Sequence, residues 1–289
     1  MTCVDDTSSL TRCSYPSTHT LSLTHSTHAQ CPPVPLEVCS LLDDLRREHG
    51  VLDNVRIILS VPVAFPFGGP PVAKFFKASL AEQGIAYWPH HAVTKIETTP
   101  QGGSIVHFDL SDGDGGASSS KATPVDLLLC TFPQVAPDFC QPLCNPKGYM
   151  VVDLQTNAVT SLPSDSGVYA IGDACHTTFP KPNKPHPKAG EFAYMMGVHV
   201  GHQIAAAHAG AEAPPPPARQ ASYVAECGVG GKGVNIMPNF TAVLADPANG
   251  MPKFAFPPVT DASLAKKVWI NGYLTKFFGQ GNYEPFTSS

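Results

Sequence analysis

No apolar run in the chain approaches the roughly 20 residues that cross a bilayer, and residues 1–30 lack the apolar core of a signal peptide. Neither a membrane-spanning segment nor a secretory leader is expected. Charge is sparse: 14% of the 289 residues are Asp, Glu, Lys or Arg, the formal net charge is −5, and the cations stand singly or in pairs. Without a basic stripe to meet phosphates, nucleic acid is not an expected partner. Nine cysteines follow no regular spacing, their odd number leaves one unpaired, and no Cys-x-x-Cys occurs. Cys140 and Cys144 have no second close pair, so neither a disulfide framework nor a zinc site is expected. Also missing is an opening strand that leads through a Gly-x-Gly-x-x-Gly turn into a helix, the usual cradle for a nucleotide diphosphate. The glycine-rich Gly228-Val229-Gly230-Gly231-Lys232-Gly233 comes late and reads as a turn.

With 43% hydrophobic residues, the chain can still bury a sizeable core. Residues 1–30, rich in Ser, Thr and His, read as a disordered leader or a degenerate first strand, with alternation only at 20–24. From Cys31, apolar spacing predicts a helix opened by prolines and stopped at Gly50, a buried strand over 55–60, and a helix over 72–83 ended by Gly84. Residues 85–98 and 104–110 read as meander strands, 111–121 as a flexible loop, and 125–130 and 168–171 as strands inside a parallel sheet. Residues 187–209 carry the clearest helical stripe, and the four prolines within 212–218 make a stiff linker. A strand at 222–226 and a terminal helix over 263–278 follow. Strands alternating with helices indicate an α/β fold. The expected units are a dinucleotide-binding-like domain over 31–146, a second segment over 147–210 and a C-terminal interface region over 211–289.

Three places carry chemistry. In Cys31-Pro32-Pro33-Val34-Pro35-Leu36-Glu37 a thiol precedes a helix start, where free N–H groups and the helix dipole favour a thiolate. An inert cysteine in a proline turn is the alternative, as an ordinary first-turn glutamate is for Glu37. In Gly167-Val168-Tyr169-Ala170-Ile171-Gly172-Asp173-Ala174 an apolar run ends in glycine, which admits close approach of a ligand, and in a carboxylate able to accept from hydroxyls. Pro187-Lys188-Ala189-Gly190 then opens the long helix with a cation at its positive end. Third, Tyr223-Val224-Ala225-Glu226-Cys227-Gly228 places Tyr223 and Cys227 on one face of a regular strand.

The order and content of these motifs, from about Cys31 to Tyr283, resemble the C-terminal part of the sulfide:quinone oxidoreductase and flavocytochrome c sulfide dehydrogenase family, within the FAD-dependent pyridine nucleotide-disulfide oxidoreductases. The resemblance implies a partial tandem Rossmann-like fold whose first FAD-binding βαβ unit is missing, with the FAD domain returning at 147–210. It implies Cys31 as redox cysteine, Glu37 as proton handler, and Gly172, Asp173, Ala174, Lys188 and Gly190 as contacts to FAD. The family's second redox cysteine falls at Tyr223 when aligned on the following glycine, leaving Cys227, four residues on, as substitute or as an inert thiol. Prolines stand where relatives open a glycine loop on NAD(P), so no nicotinamide partner is expected. Implied partners are sulfide and a quinone or haem acceptor, with a possible homodimer and a membrane-surface contact through Trp269, Tyr273, Leu274, Phe277 and Phe278. A truncated remnant acting as a binding or dimerising module, or an incomplete gene model, are the rival expectations.

Overall fold

A strand whose neighbours cover it on both sides can hide even polar residues, and β1 (His19–His25) does so with only two leucines. It lies parallel to β2 (Val55–Ser60), Leu21 opposite Ile57 and Leu23 opposite Leu59. The computed structural model describes residues 19–25, 33–65, 69–111, 119–163, 165–181 and 183–279. Helix α1 (Val34–Glu48) crosses from β1 to β2, and α2 (Gly69–Glu82) crosses from β2 to β3 (Ala86–Trp88). A meander of β4 (His91–Thr98), β5 (Ser104–Leu110) and β6 (Ser119–Val125) precedes β7 (Leu127–Thr131), which returns to pair with β1. The parallel sheet therefore runs β3-β2-β1-β7. Both helices bury their stripes in one core, Leu36 and Cys39 meeting Phe76 and Leu80. Arg46 bolts this unit: its guanidinium donates to Asp43 at 2.6 Å, to the Val55 carbonyl at 2.7 Å and to the Gln83 carbonyl at 2.6 Å.

Several expectations change at this level: Ala86–Trp88 of the 85–98 run joins the parallel sheet beside β2, and 119–121, read as loop, opens β6. The run 125–130 is divided at Asp126, with Val125 closing the meander and Leu127 opening the parallel strand. Asp126 turns the chain by exchanging bonds with the main chain of Thr20, at 2.7 and 2.9 Å. Residues 168–171 are no parallel-sheet strand. Gly167 and Gly172, at φ +67° and +61°, turn the chain on either side, and the segment bridges antiparallel to 157–159. The short parallel pair here is β8 (Met150–Val151) with β9 (Cys175–His176). After the β10 (Thr178–Phe179) and β11 (Lys184–Pro185) hairpin comes α3 (Gly190–His208).

The last part consists of β12 (Tyr223–Gly228), β13 (Lys232–Asn239), α4 (Thr241–Ala245), β14 (Lys253–Ala255), β15 (Pro258–Val259) and α5 (Ala262–Phe278). Ala225 and Cys227 of β12 enter the core of the parallel sheet. Tyr223 packs against both that core and the one built on Phe179, Phe192 and Phe240. No helix among the described residues is long and apolar enough to cross a membrane.

Candidate functional site

Gly172-Asp173-Ala174 forms a single 3-10 turn, entered from extended Ile171. A side chain at Gly172 would be strained at its positive φ, and its Cβ would stand 3.1 Å from the Ala193 Cβ, so glycine lets α3 press on the turn. Lys188 Nζ reaches back to donate to the Asp173 carbonyl at 2.6 Å and lies 3.4 Å from the Tyr149 ring centroid. Burial lowers the Lys188 ammonium to about 8, against the opposing pull of Asp173 and Cys175. Helix α3 starts from Ala189 without a side-chain cap, which leaves its first N–H groups free for a ligand. The Asp173 side chain is exposed and accepts no hydrogen bond among the described residues. Gly172, Cys175, His186, Lys188, Ala189 and Phe192 are among the lining of a cavity of about 10 Å³.

A second cluster gathers around Glu37 in the first turn of α1. Its Oε1 accepts from the Glu226 main-chain N–H at 2.8 Å and from the Lys266 ammonium. One carboxylate thus ties α1, β12 and α5. Burial raises the neighbouring Glu226 carboxyl, Lys266 opposes that, and Asp44, Glu37 and Asp261 add to it. Cys227, 2% exposed, is pushed up to about 12 by burial first and then by Glu37 and Glu226. The structure brings Glu37 and Cys227 together, and it groups Gly172, Asp173, Ala174, Lys188 and Gly190 separately at the start of α3. Cys31 lies outside the described residues, two positions before Pro33, from which α1 starts.

Sequence reasoning missed Lys266, Glu226 and Tyr149 because long loops bring them in. Glu37 and Lys266 are 229 residues apart, with no periodic signal to join them. Among the described residues no three His, Cys, Asp or Glu side chains converge to hold a metal ion.

The turn fits the flavin half of an FAD: a free carboxylate for hydroxyls, a glycine at the approach, and an uncapped helix end for the pyrimidine edge. Gly190 has open space where a Cβ would stand. Gly230 and Gly231 belong to the β12–β13 hairpin and lead into no helix.

No family model and no curated protein matches the sequence. Solved structures do match the fold. The sulfide:quinone oxidoreductase of Aquifex aeolicus has a TM-score of 0.63 at 14% identity, over 94% of this chain and 67% of that one. NDH2 of Plasmodium falciparum, solved with NADH, gives 0.60 at 12% identity over 93% and 67%. A chain of the Tetrahymena thermophila mitochondrial ATP synthase gives 0.59 at 13% identity over 79% and 52%. The chain therefore spans about two thirds of the first two and half of the third. Its fold is the mixed α/β fold of the FAD- and NAD(P)-binding oxidoreductases.

Proposed function

We propose that the chain is a flavin-dependent oxidoreductase of the sulfide:quinone oxidoreductase type. The observation that carries this reading is the Gly172–Ala174 turn, held by Lys188 beneath the uncapped start of α3. In this reading the Asp173 carboxylate accepts from ribityl hydroxyls, and the N–H groups at Gly190 and Glu191 face the pyrimidine edge. Lys188 adds positive charge where the reduced ring becomes anionic. Bound FAD would supply a two-electron acceptor for the oxidation of hydrosulfide to sulfane sulfur, HS⁻ → S⁰ + H⁺ + 2e⁻, with a quinone or haem protein as final acceptor. In this reading Cys31 takes up the sulfur. Glu37 receives the released proton on the oxygen that Lys266 and Glu226 leave free. Cys227, buried in the core that α1 joins, is the second thiol of this reading.

The test is FAD titration of the purified chain by flavin fluorescence, followed by anaerobic sulfide at saturating FAD. Saturable binding is expected from the Gly172–Ala174 turn and the start of α3. Bound flavin should bleach with sulfide and recover with a soluble quinone. Affinity unchanged by Asp173→Asn, or flavin that sulfide does not bleach, would overturn the reading.

A second reading, a binding or dimerising module without catalysis, draws on the surface of β7 and the segment after it. Leu127, Phe132, Val135 and Phe139 are exposed there, Phe139 at 85%.

A further inference from the structure

Three soft donors from separate elements line one enclosed space. The cavity of about 10 Å³ that Gly172 borders is also lined by Cys175 of β9, His186 just past β11, and Met196 in the second turn of α3. They are 4%, 6% and 3% exposed. The β10–β11 hairpin returns the chain so that the His186 main-chain N–H donates to the Thr177 carbonyl at 2.9 Å, two residues from Cys175. No three His, Cys, Asp or Glu side chains among the described residues make a metal site, but here a methionine stands as the third donor.

The imidazole is prepared as a ligand. Its Nδ1 stands 2.7 Å from the Pro187 carbonyl, which only a ring N–H can meet, so in the neutral ring Nε2 carries the lone pair. That nitrogen is buried without a partner among the described residues, inside a cage of Phe179, Phe192 and Phe240 that offers no donor. Leaving a buried acceptor unmet is costly. The Cys175 Sγ donates to the Gly172 carbonyl at 3.2 Å. A water molecule in the cavity would answer the imidazole, but a thiol and a thioether are weak partners for water.

We propose that Cys175, His186 and Met196 form a three-coordinate site for a soft monovalent metal ion, Cu(I). Thiolate and thioether sulfur favour this ion over harder divalent metals, and imidazole suits it as the third ligand. Binding replaces the thiol proton, R–SH + Cu⁺ → R–S–Cu + H⁺, so the enclosed group carries no net charge. A divalent ion on the same ligands leaves a positive charge in the interior. Lys188 and Arg219 already act on Cys175, and the guanidinium, 1% exposed, meets only the neutral Asn157 Oδ1 at 3.5 Å among the described residues. A further uncompensated cation is therefore opposed. The volume, close to that of one water, also leaves no place for the fourth ligand that zinc takes. None of the three ligands is a proposed flavin contact, and the site does not depend on that reading.

The test is copper retention by the whole chain, kept anaerobic with ascorbate as reductant. Exposed thiols are first capped with iodoacetamide, which the enclosed Cys175 escapes. The chain then competes for Cu(I) with bicinchoninate, whose coloured complex reports how much metal the chain has taken. Neither flavin nor turnover is needed, so the result is separable from the oxidoreductase reading. One equivalent should pass to the chain, and X-ray absorption at the copper edge should show one nitrogen and two sulfur neighbours. Met196→Leu conserves volume and removes the thioether, so the variant should fold and hold copper about tenfold more weakly, with one sulfur neighbour fewer. Cys175→Ser should retain none, and an equal concentration of Zn²⁺ should not displace the copper. A capped wild-type chain that takes up no copper would overturn the proposal and leave the cavity to water. So would copper whose affinity and neighbours are unchanged by Met196→Leu, or copper that Zn²⁺ displaces.

Discussion

Lys188 donates its ammonium to the main-chain carbonyl of Asp173 at 2.6 Å, so the residue that leads into α3 also fixes the turn on which the flavin reading depends. Because burial brings that ammonium down to about 8, it is charged at pH 7 and largely neutral at pH 9.5. FAD affinity should therefore fall between these pH values, by about tenfold if one charged contact of roughly 1.5 kcal/mol is lost. Lys188→Met should bind at the weaker level at both. Fluorescence titration at the two pH values decides, and a wild-type affinity that does not change with pH would remove Lys188 from the cofactor contacts.

Lys266 pairs with the Glu37 carboxylate, and its charge also acts on Glu226. Replacing it with Met leaves Glu37 and Glu226 close and uncompensated. The Lys266–Glu37 ion pair is partly screened by solvent, with side-chain exposures of 29% and 19%, so the loss should be modest, about 1–2 kcal/mol. Its pH dependence follows from Glu226, whose folded carboxyl is raised by burial and lowered by Lys266. Repulsion exists only when both groups are ionised, so the loss is full at pH 8 and disappears as pH falls below the carboxylate range. Urea unfolding at pH 8 and pH 4 checks this, and equal losses at both would mean Lys266 acts through packing alone.

What the sequence made legible was whatever local pattern controls. The helices over 34–48, 190–208 and 262–278 could be read to within a few residues, because each shows an apolar stripe or a clear stop, Gly50 and Gly279 taking positive φ just past the first and last. The strand at 104–110 was legible from its turn and alternation. His19–His25 was obscure because its place in the sheet is set by its partners β2 and β7 and not by its own composition. Residues 168–171 misled for the converse reason: a buried-looking apolar run has no strand to join once glycines turn it at both ends. In the site, Gly172 and Asp173 stood in a recognisable run. Lys266, Tyr149 and Arg219 owe their roles to contacts that no spacing encodes.

Thiol reactivity should separate the cysteines sharply. With its thiol at about 12, Cys227 is ionised to only about one part in ten thousand at pH 8, and Cys39 is fully enclosed and raised further by burial. Iodoacetamide followed by mass mapping of the folded chain should modify Cys31 first, with Cys227 at least a hundredfold slower. Glu37→Gln, by removing a negative charge that holds the Cys227 proton, should shift the Cys227 rate profile to lower pH without exposing Cys39. If Cys227 reacts in step with Cys31 in the wild-type chain, the buried placement of β12 is wrong for the working protein.

His186 supplies the sharpest test of the interior. Its ring is enclosed by Phe179, Phe192 and Phe240, with centroids at 5.3, 5.0 and 5.0 Å, and burial, reinforced by Arg219, lowers it to about 3. The unfolded chain binds the proton near the usual 6.5, so below that pH it gains a proton that the folded chain refuses, and stability drains away as pH falls toward 3. The contribution is about 1.4 kcal/mol per pH unit over that window. His186→Phe keeps an aromatic ring in the cage and removes the titration. At pH 7 it gives up the Nδ1 bond to the Pro187 carbonyl, worth about 1 kcal/mol. Chemical unfolding at pH 6.5, 5.5 and 4.5 should show the variant gaining on the wild type by more than 2 kcal/mol across the series. Other carboxylates and histidines titrate in both chains and cancel in the difference. Parallel curves over those two pH units would mean that His186 takes up its proton in the folded state, and the enclosed cationic interior around Arg219 would have to be redrawn as open to solvent.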